Sequence, residues 1–365
     1  MAFCLVGCDL IGGTGAAAAD DRPGRLVAIE GGRRMNLVCA GDGSPTVLLE
    51  AGFAATAGAW HKVQPALART TRVCAYDRAG SGFSDPGPLP RDGAAIARDL
   101  DQSMAAASIS GPFIVVGHSA GGLYGRLFAA RRPSDVVGLV LLDPTIERRA
   151  PRPEGDGLDG IRQRLRGCLA AAEANPQPPI GDSRWSGCMP TGANRHQIAV
   201  ARRAETWRAQ ISELDNILAR TSDQVLRIGP LLRSTPMYVF TASETAATAP
   251  PDTRNMTQTV LELRHQMIAQ TSDAGWQQTI LSSHMIMLDR PDVVIAAVEE
   301  MIRASRAGVS PAPLPPSETV PTADAFRLPD LDGALFPWEF SPPREPADPL
   351  QPGADPVTFQ SSPAP

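Results

Sequence analysis

Lysine is nearly missing from this chain: Lys62 is the one lysine among 34 basic residues. Aromatic residues are sparse at 5%, no basic run occurs, and the net charge is -5. Nucleic-acid surfaces are built from clustered positive charge and stacking rings, so no nucleic-acid partner is expected. The arginine bias, with abundant Ala, Gly and Pro, reads as genomic composition. No apolar run approaches the roughly 18 residues of a membrane-spanning helix, so no transmembrane segment is expected and the mature protein should be soluble. Cys-x-x-Cys pairs are also absent and no histidine stands at ligand spacing from a cysteine, which argues against a zinc site; no metal is expected.

Six cysteines are nonetheless scattered along the chain as Cys4, Cys8, Cys39, Cys74, Cys168 and Cys188. Cys168 and Cys188 bracket a loop-like stretch containing Pro176, Pro178 and Pro179, where a disulfide would suit an exported protein and buried free thiols are the other reading. Cys39 and Cys74 fall in two predicted strands, either as small buried hydrophobes or as a bridge. Residues 1–24 read as a signal or flexible leader. Ala16 to Ala19 before Asp20 resembles a signal-peptidase site, but no basic residue precedes it and Asp9 interrupts the apolar stretch. Leu5-Val6-Gly7-Cys8 matches a bacterial lipobox with too few residues ahead of it, and a start codon set too far downstream would explain both defects. Export to the periplasm or beyond, with a lipid anchor on Cys8 as one form, is the expectation; a cytoplasmic protein is the alternative.

At 365 residues the chain can hold one large α/β domain with an insertion and a tail. Residues 26–29 and 35–39 read as a hairpin about Gly31-Gly32, followed by a strand at 46–49. A helix at 60–68, a strand at 71–76 and an amphipathic helix at 94–107 complete the approach to residue 113. Residues 25–144 are expected to be the first part of the core. From Thr145 the pattern changes: Gly and Pro punctuate 150–160, and helical stretches follow at 161–174 and 196–232 with no strand between them. Segment 145–232 is expected to be a helical lid insertion. Strand character returns at 237–240 and 278–281 and a helix runs over 291–304, so 233–307 forms the second part of the core. The last 58 residues hold 15 of the 35 prolines and lack hydrophobic periodicity. Segment 308–365 is therefore expected to be a disordered Pro-rich tail, with 335–340 its one apolar cluster.

The stretch that names a chemistry is Phe113-Ile114-Val115-Val116-Gly117-His118-Ser119-Ala120-Gly121-Gly122. In a Gly-x-Ser-x-Gly nucleophile elbow a buried strand turns sharply into a helix and exposes the serine hydroxyl above the sheet. With 33 glycines in the chain the pentapeptide alone proves little, and context decides. Four apolar residues precede it, helical spacing over 123–132 follows, and a second apolar run at 136–142 ends in Asp143-Pro144. That is one βαβ unit of a parallel sheet.

A serine hydroxyl needs a base within hydrogen-bond reach, and the base needs an orienting acid. His61, His118, His196, His265 and His284 are available. His118 should point away from the site and serve packing; His196 and His265 read as surface or lid residues. His284 follows the last strand, where a loop above the carboxyl edge of the sheet would present it, and is the expected base. For the acid, Asp143 ends the strand after the elbow helix, with Glu244 as the alternative and Asp252 behind it. Two backbone N–H groups should hold the oxyanion, one from Ala120 at the helix N-terminus and one from Phe53 after the glycine turn Ala51-Gly52.

Taken together, Leu48-Leu49-Glu50-Ala51-Gly52-Phe53, Tyr76-Asp77-Arg78-Ala79-Gly80-Ser81-Gly82, the elbow and the segment from His284 to Pro291 resemble the α/β-hydrolase fold serine hydrolases in order and spacing. The resemblance covers residues 25–305. It implies an α/β fold with a mostly parallel sheet of about eight strands, a lid after the sixth, and hydrolysis of carboxylic esters or related bonds through an acyl-enzyme on a serine. No cofactor is implied, and the partner is a small acyl substrate. Two departures stand out. Many members carry His-Gly where this chain has Glu50-Ala51-Gly52, and the usual aspartate after the seventh strand is replaced near Glu244-Thr245, which is why Asp143 ranks first. Serine at the nucleophile position disfavours the epoxide hydrolase and dehalogenase branches, which react through a carboxylate. Lactonase, amidase, carbon-carbon hydrolase and acyltransferase activities use the same residues, and a non-catalytic receptor has little need of them all. Asp77 and Arg78 are expected to brace the turn through Gly80 and Gly82, with an Arg78–Glu50 salt bridge as a further expectation.

Overall fold

The computed structural model describes residues 24–147, 158–190 and 192–315. The leader with Cys4 and Cys8, most of the stretch 150–160, and the tail from 316, with its cluster at 335–340, lie outside the described residues. Eight strands form one sheet: β1 (Arg25–Ala28), β2 (Arg34–Ala40), β3 (Thr46–Glu50), β4 (Val73–Tyr76), β5 (Phe113–His118), β6 (Val136–Leu142), β7 (Met237–Ala242) and β8 (Gly275–Ile280). Their order is β1-β2-β4-β3-β5-β6-β7-β8. β1 and β2 pair antiparallel, β2 meets β4 antiparallel, and every pairing from β4 onward is parallel.

The helices are α1 (Gln64–Leu67), α2 (Gly93–Ala106), α3 (Ala120–Arg131), α4 (Asp159–Glu173), α5 (Arg195–Ala201), α6 (Ala204–Asn216), α7 (Ser222–Ile228), α8 (Arg254–Ala269), α9 (Ile286–Asp289) and α10 (Pro291–Ala307). Successive side chains of the central strands point to opposite faces. Leu48, Val115, Leu139 and Val239 therefore pack with Leu100 of α2 and Leu123 of α3, while Val47, Ile114, Val140 and Tyr238 pack with Leu67 of α1 and Val298 of α10. Burial on both faces is the reason these strands read as unbroken apolar runs.

The described residues between β6 and β7 are largely helical, but the stretch 196–232 is not one continuous run. It breaks at Arg203, which is extended with ψ 115, and again where a π-helical turn spans Ile217–Thr221. That wider turn leaves Thr221 Oγ1 to accept the Gly93 N–H at 2.8 Å, and Gln224 Oε1 accepts the Ala94 N–H at 2.9 Å. The insertion thereby caps the N-terminus of α2. Cys168 and Cys188 are bridged, tying α4 to the loop that follows it, and Cys39 is bridged to Cys74 directly opposite on β4.

The chain beyond Gly308 does not leave the body at once. Gly308 closes α10 in the left-handed region at φ 65. The Ala312 N–H then donates to Glu300 at 2.7 Å, the Tyr238 hydroxyl donates to the Ala312 carbonyl, and Leu314 packs on the core. The first residues of the segment expected as tail, through Pro315, thus lie against α10 and β7. No helix among the described residues is long and apolar enough to cross a membrane.

Cys168 and Cys188 close a loop with a sequence separation of 20, and cross-links of that span restrict the unfolded chain by about 3 kcal/mol. Replacing both by serine should lower the unfolding free energy by roughly that amount in urea titrations; an unchanged midpoint would show that the bridge contributes nothing.

Candidate active site

β5 ends at His118, and the chain turns into α3 through Ser119 at φ 52, ψ -124. A non-glycine residue in that region is strained and persists because the surroundings hold it. The Ser119 N–H donates to the Leu142 carbonyl at 3.0 Å and the Ser119 carbonyl accepts from Thr145 at 3.0 Å, so the turn is pinned to the end of β6. Gly121 is required here: a Cβ would lie 2.3 Å from the Glu50 carbonyl oxygen at the end of β3.

Asp143 follows β6, itself at φ 43, with its N–H donating to the Phe240 carbonyl at 2.7 Å. Its buried carboxylate sits 2.6 Å from His284 Nδ1 through Oδ2, accepts the Ala242 N–H at 3.1 Å through Oδ1, and accepts the Thr245 hydroxyl as well. Burial pushes the carboxyl up, but the hydrogen bond and charge of His284, with His265 and Thr245 nearby, hold it below the ordinary aspartate range. Ser119, Asp143 and His284 line one cavity of about 30 Å³, roofed by Leu158, Ile217 and Leu218 of the insertion. Glu244 is exposed on the turn after β7, its N–H bonded to the Ser282 carbonyl, and Asp252 is exposed ahead of α8. Neither is brought to His284.

Two histidines depart from expectation. His118 does not simply pack: it is buried, its Nε2–H donates to the His284 carbonyl at 2.9 Å, and the two rings lie 4.6 Å apart. Burial, with the neighbouring His284, pushes its pKa down to about 3, so it stays neutral. His265 is no surface or lid residue. It is fully buried at 0% exposure, donates from Nε2 to the Pro144 carbonyl at 2.8 Å, and accepts the Thr241 hydroxyl at Nδ1 at 2.8 Å. It stands 3.9 Å from Asp143 Oδ1, and burial lowers its pKa against the pull of that carboxylate. The spacing of α8 gives no sign that one of its faces reaches Asp143. His196 lies in the insertion and stacks on Phe83 with ring centroids 3.5 Å apart, while His61 is exposed.

Phe53 follows Gly52 in the loop after β3. A Cβ on Gly52 would lie 2.8 Å from His118 Nδ1 and 3.3 Å from Ser119 Cβ, so the loop lies directly against the elbow. Nothing among the described residues accepts the Phe53 N–H. Ala120 is the first residue of α3, where helix N–H groups have no partner within the helix. Asp77 holds the turn as expected, accepting from Phe83 N at 3.0 Å as well as from Ala57 N at 2.9 Å. The Arg78 carbonyl accepts the Ser81 N–H at 2.9 Å within that turn, but the Arg78 side chain reaches elsewhere. It is buried beneath the Phe53 loop, paired with Glu50 at 3.0 Å and with Glu213 of α6 at 3.0 Å.

A family model described as the alpha/beta hydrolase fold matches residues 45–169. A thermophilic esterase from Thermogutta terrifontis superposes with a TM-score of 0.51 at 20% identity, covering 76% of this chain and 97% of that one. This chain has the α/β-hydrolase fold. An epoxide hydrolase shares the fold at TM-score 0.52 and 18% identity, over 77% of this chain and 99% of that one. By sequence, an AB hydrolase superfamily protein of Gibberella zeae is 36% identical over 108 residues, 28% of this chain and 34% of that protein. The matched stretches span 15% to 42% of the lengths of the first curated relatives. In this α/β-hydrolase fold the stretch matched by the family model runs from β3 through the elbow to Asp143 and into α4, and His284 lies beyond it.

One charge in the fold carries a pH signature. Burial pushes the Glu50 carboxyl up to about 7, against the pull of Arg78 and the Tyr76 hydroxyl. The folded chain then holds a proton that the unfolded chain releases near 4.5, so this group's stabilisation is complete below that value and is lost as pH rises to 7. Melting temperatures of wild type and Glu50→Gln should therefore diverge in favour of the variant between about pH 5 and about pH 7.5; parallel curves would refute the assignment.

Proposed function

We propose that this chain is a serine hydrolase that cleaves a carboxylic ester or related acyl bond. The observation that carries the reading is the strained Ser119 sharing one cavity with a His284–Asp143 pair bonded at 2.6 Å. An aspartate held ionised fixes the neutral imidazole with its proton on Nδ1, leaving Nε2 as the base. Nε2 takes the Ser119 proton as Oγ attacks the carbonyl carbon, and the carbonyl oxygen becomes an oxyanion held by the N–H groups of Phe53 and Ala120. Collapse expels the alcohol, which leaves with the proton from His284. Water then repeats the sequence on the acyl-enzyme, releasing the acid and restoring the Ser119 hydroxyl.

The carbonyl of His284 is held by His118, and Asp143 by Thr245 and Ala242, so both partners are fixed before substrate arrives. A cavity of about 30 Å³ holds little more than a water. The roof of Ile217 and Leu218 acts as a lid and moves aside to admit an acyl chain. Its apolar character suits the hydrocarbon part of the substrate. A serine nucleophile separates this chain from carboxylate-dependent epoxide chemistry. The two disulfides suit an oxidising compartment and support export.

Wild-type protein should be labelled by a fluorophosphonate, and Ser119→Ala should not; a folded wild type that stays unlabelled ends the serine-hydrolase reading. On a short-chain ester, Asp143→Asn should lower kcat by roughly 10³- to 10⁴-fold. Glu244→Gln should stay within about twofold of wild type. The reverse pattern would move the acid to Glu244.

A further inference from the structure

The Arg78 guanidinium is buried and engaged along its whole fork. A guanidinium carries five N–H donors in a fixed fork, and here four make hydrogen bonds while Nη2 also stands in an ion pair with Glu213. Nε donates to Glu213 at 3.3 Å; Nη1 donates to Glu50 at 3.0 Å and to the Ala51 carbonyl at 2.7 Å; Nη2 donates to the Gly52 carbonyl at 2.6 Å and lies 3.0 Å from Glu213. Two of those acceptors are backbone carbonyls of the loop after β3. In a trans peptide the C=O and the following N–H point in opposite directions. Drawing the Gly52 carbonyl toward Arg78 therefore turns the Phe53 N–H away from it. The same loop lies close to Ser119, since a Cβ added at Gly52 would come within 3.3 Å of Ser119 Cβ, and nothing among the described residues accepts the Phe53 N–H.

Glu213 brings in the insertion. It lies on α6, one turn ahead of Ile217 and Leu218 in the cavity roof. The Tyr124 hydroxyl of α3 also donates to it at 3.1 Å. A carboxylate buried this deeply remains only while its partners stay in place. Displacing the roof by more than a side chain's reach would pull Glu213 from Arg78 and leave two of the five donors unmatched.

Resting on the serine-hydrolase reading, we propose that Arg78 is a positioning residue that aims the Phe53 N–H at the oxyanion. Through Glu213, this aim is set only when α6 is docked. Roof closure over a bound substrate and completion of the oxyanion site become one event.

The test uses the full chain, a short-chain p-nitrophenyl ester, and a trifluoromethyl ketone that forms a tetrahedral oxyanion adduct on the serine. Arg78→Lys keeps the charge but lacks the fork. It should lose about 100-fold in kcat with KM within about threefold, and bind the ketone weaker by about the same factor. Glu213→Gln, which keeps an oxygen acceptor for Arg78 and Tyr124, should lose about tenfold in the same pattern. A purely structural role would lower melting temperature without moving kcat and ketone affinity together. If either folded variant turns over within about twofold of wild type, loses rate through KM alone, or binds the ketone as wild type does, the inference falls. Should Arg78→Lys fail to fold, Glu213→Gln decides. A wild type that resists fluorophosphonate fails before any variant is made, which marks failure of the hydrolase reading itself and takes this inference with it.

Discussion

A deeply buried guanidinium has almost no water to hydrate it and must find protein partners, and the arrangement around Arg78 follows from that requirement. Burying the charge costs several kcal/mol unless partners compensate, and the compensation comes from two parts of the chain: the consecutive Glu50, Ala51 and Gly52 at the end of β3, and Glu213 of α6. Two carboxylates about one cation leave an excess negative charge in a buried place. Burial is the main cause of the upward shift of Glu50, and the second carboxylate, Glu213, adds to it only as the smallest contribution. The strand end with its loop against Ser119, and the insertion, are thereby joined by one buried polar cluster.

On the other side of Ser119 the same logic works through neutral groups. Asp143 is held low by three neighbours, His284, His265 and Thr245, while His118 and His265 are kept neutral by burial and each hold a backbone carbonyl. One carbonyl belongs to His284 and the other to Pro144, so the two buried histidines fix the residues flanking the His284–Asp143 bond without competing for its proton. Thr241 completes the set by donating to His265 and accepting from Gln277 of β8 at 2.8 Å. Ordered polar groups of this kind hold a rotamer because an unmade hydrogen bond in the interior is costly.

Much of this was legible in the chain itself. Apolar runs at 46–49, 113–116, 136–142 and 237–240 are central strands because both faces of a parallel sheet are covered, and burial on both faces leaves no polar alternation. The glycines of the elbow betray a close approach, since Gly121 meets a backbone oxygen. Asp143 and His284 each stand just past a strand end, which the topology of a parallel sheet gathers at one edge. His265 and Glu213 were not legible. They sit on amphipathic helices whose spacing shows which face is buried but not what it is buried against, and Glu213 meets Arg78 across 135 positions of sequence.

By itself the sequence determined the order of the strands along the chain, the elbow at Ser119 and the residues able to serve as base and acid, because periodicity, glycine and strand ends are local properties. Tertiary structure set Asp143, and not Glu244, beside His284, since only the paired ends of β6 and β7 bring one carboxylate within 2.6 Å of that ring and leave the other in solvent. It also turned the Arg78 side chain toward the loop beside Ser119 and carried His265 from an expected surface or lid position to the interior. Each of those outcomes depends on which acceptor lies within reach of a buried donor, and that distance is fixed only when distant segments pack together.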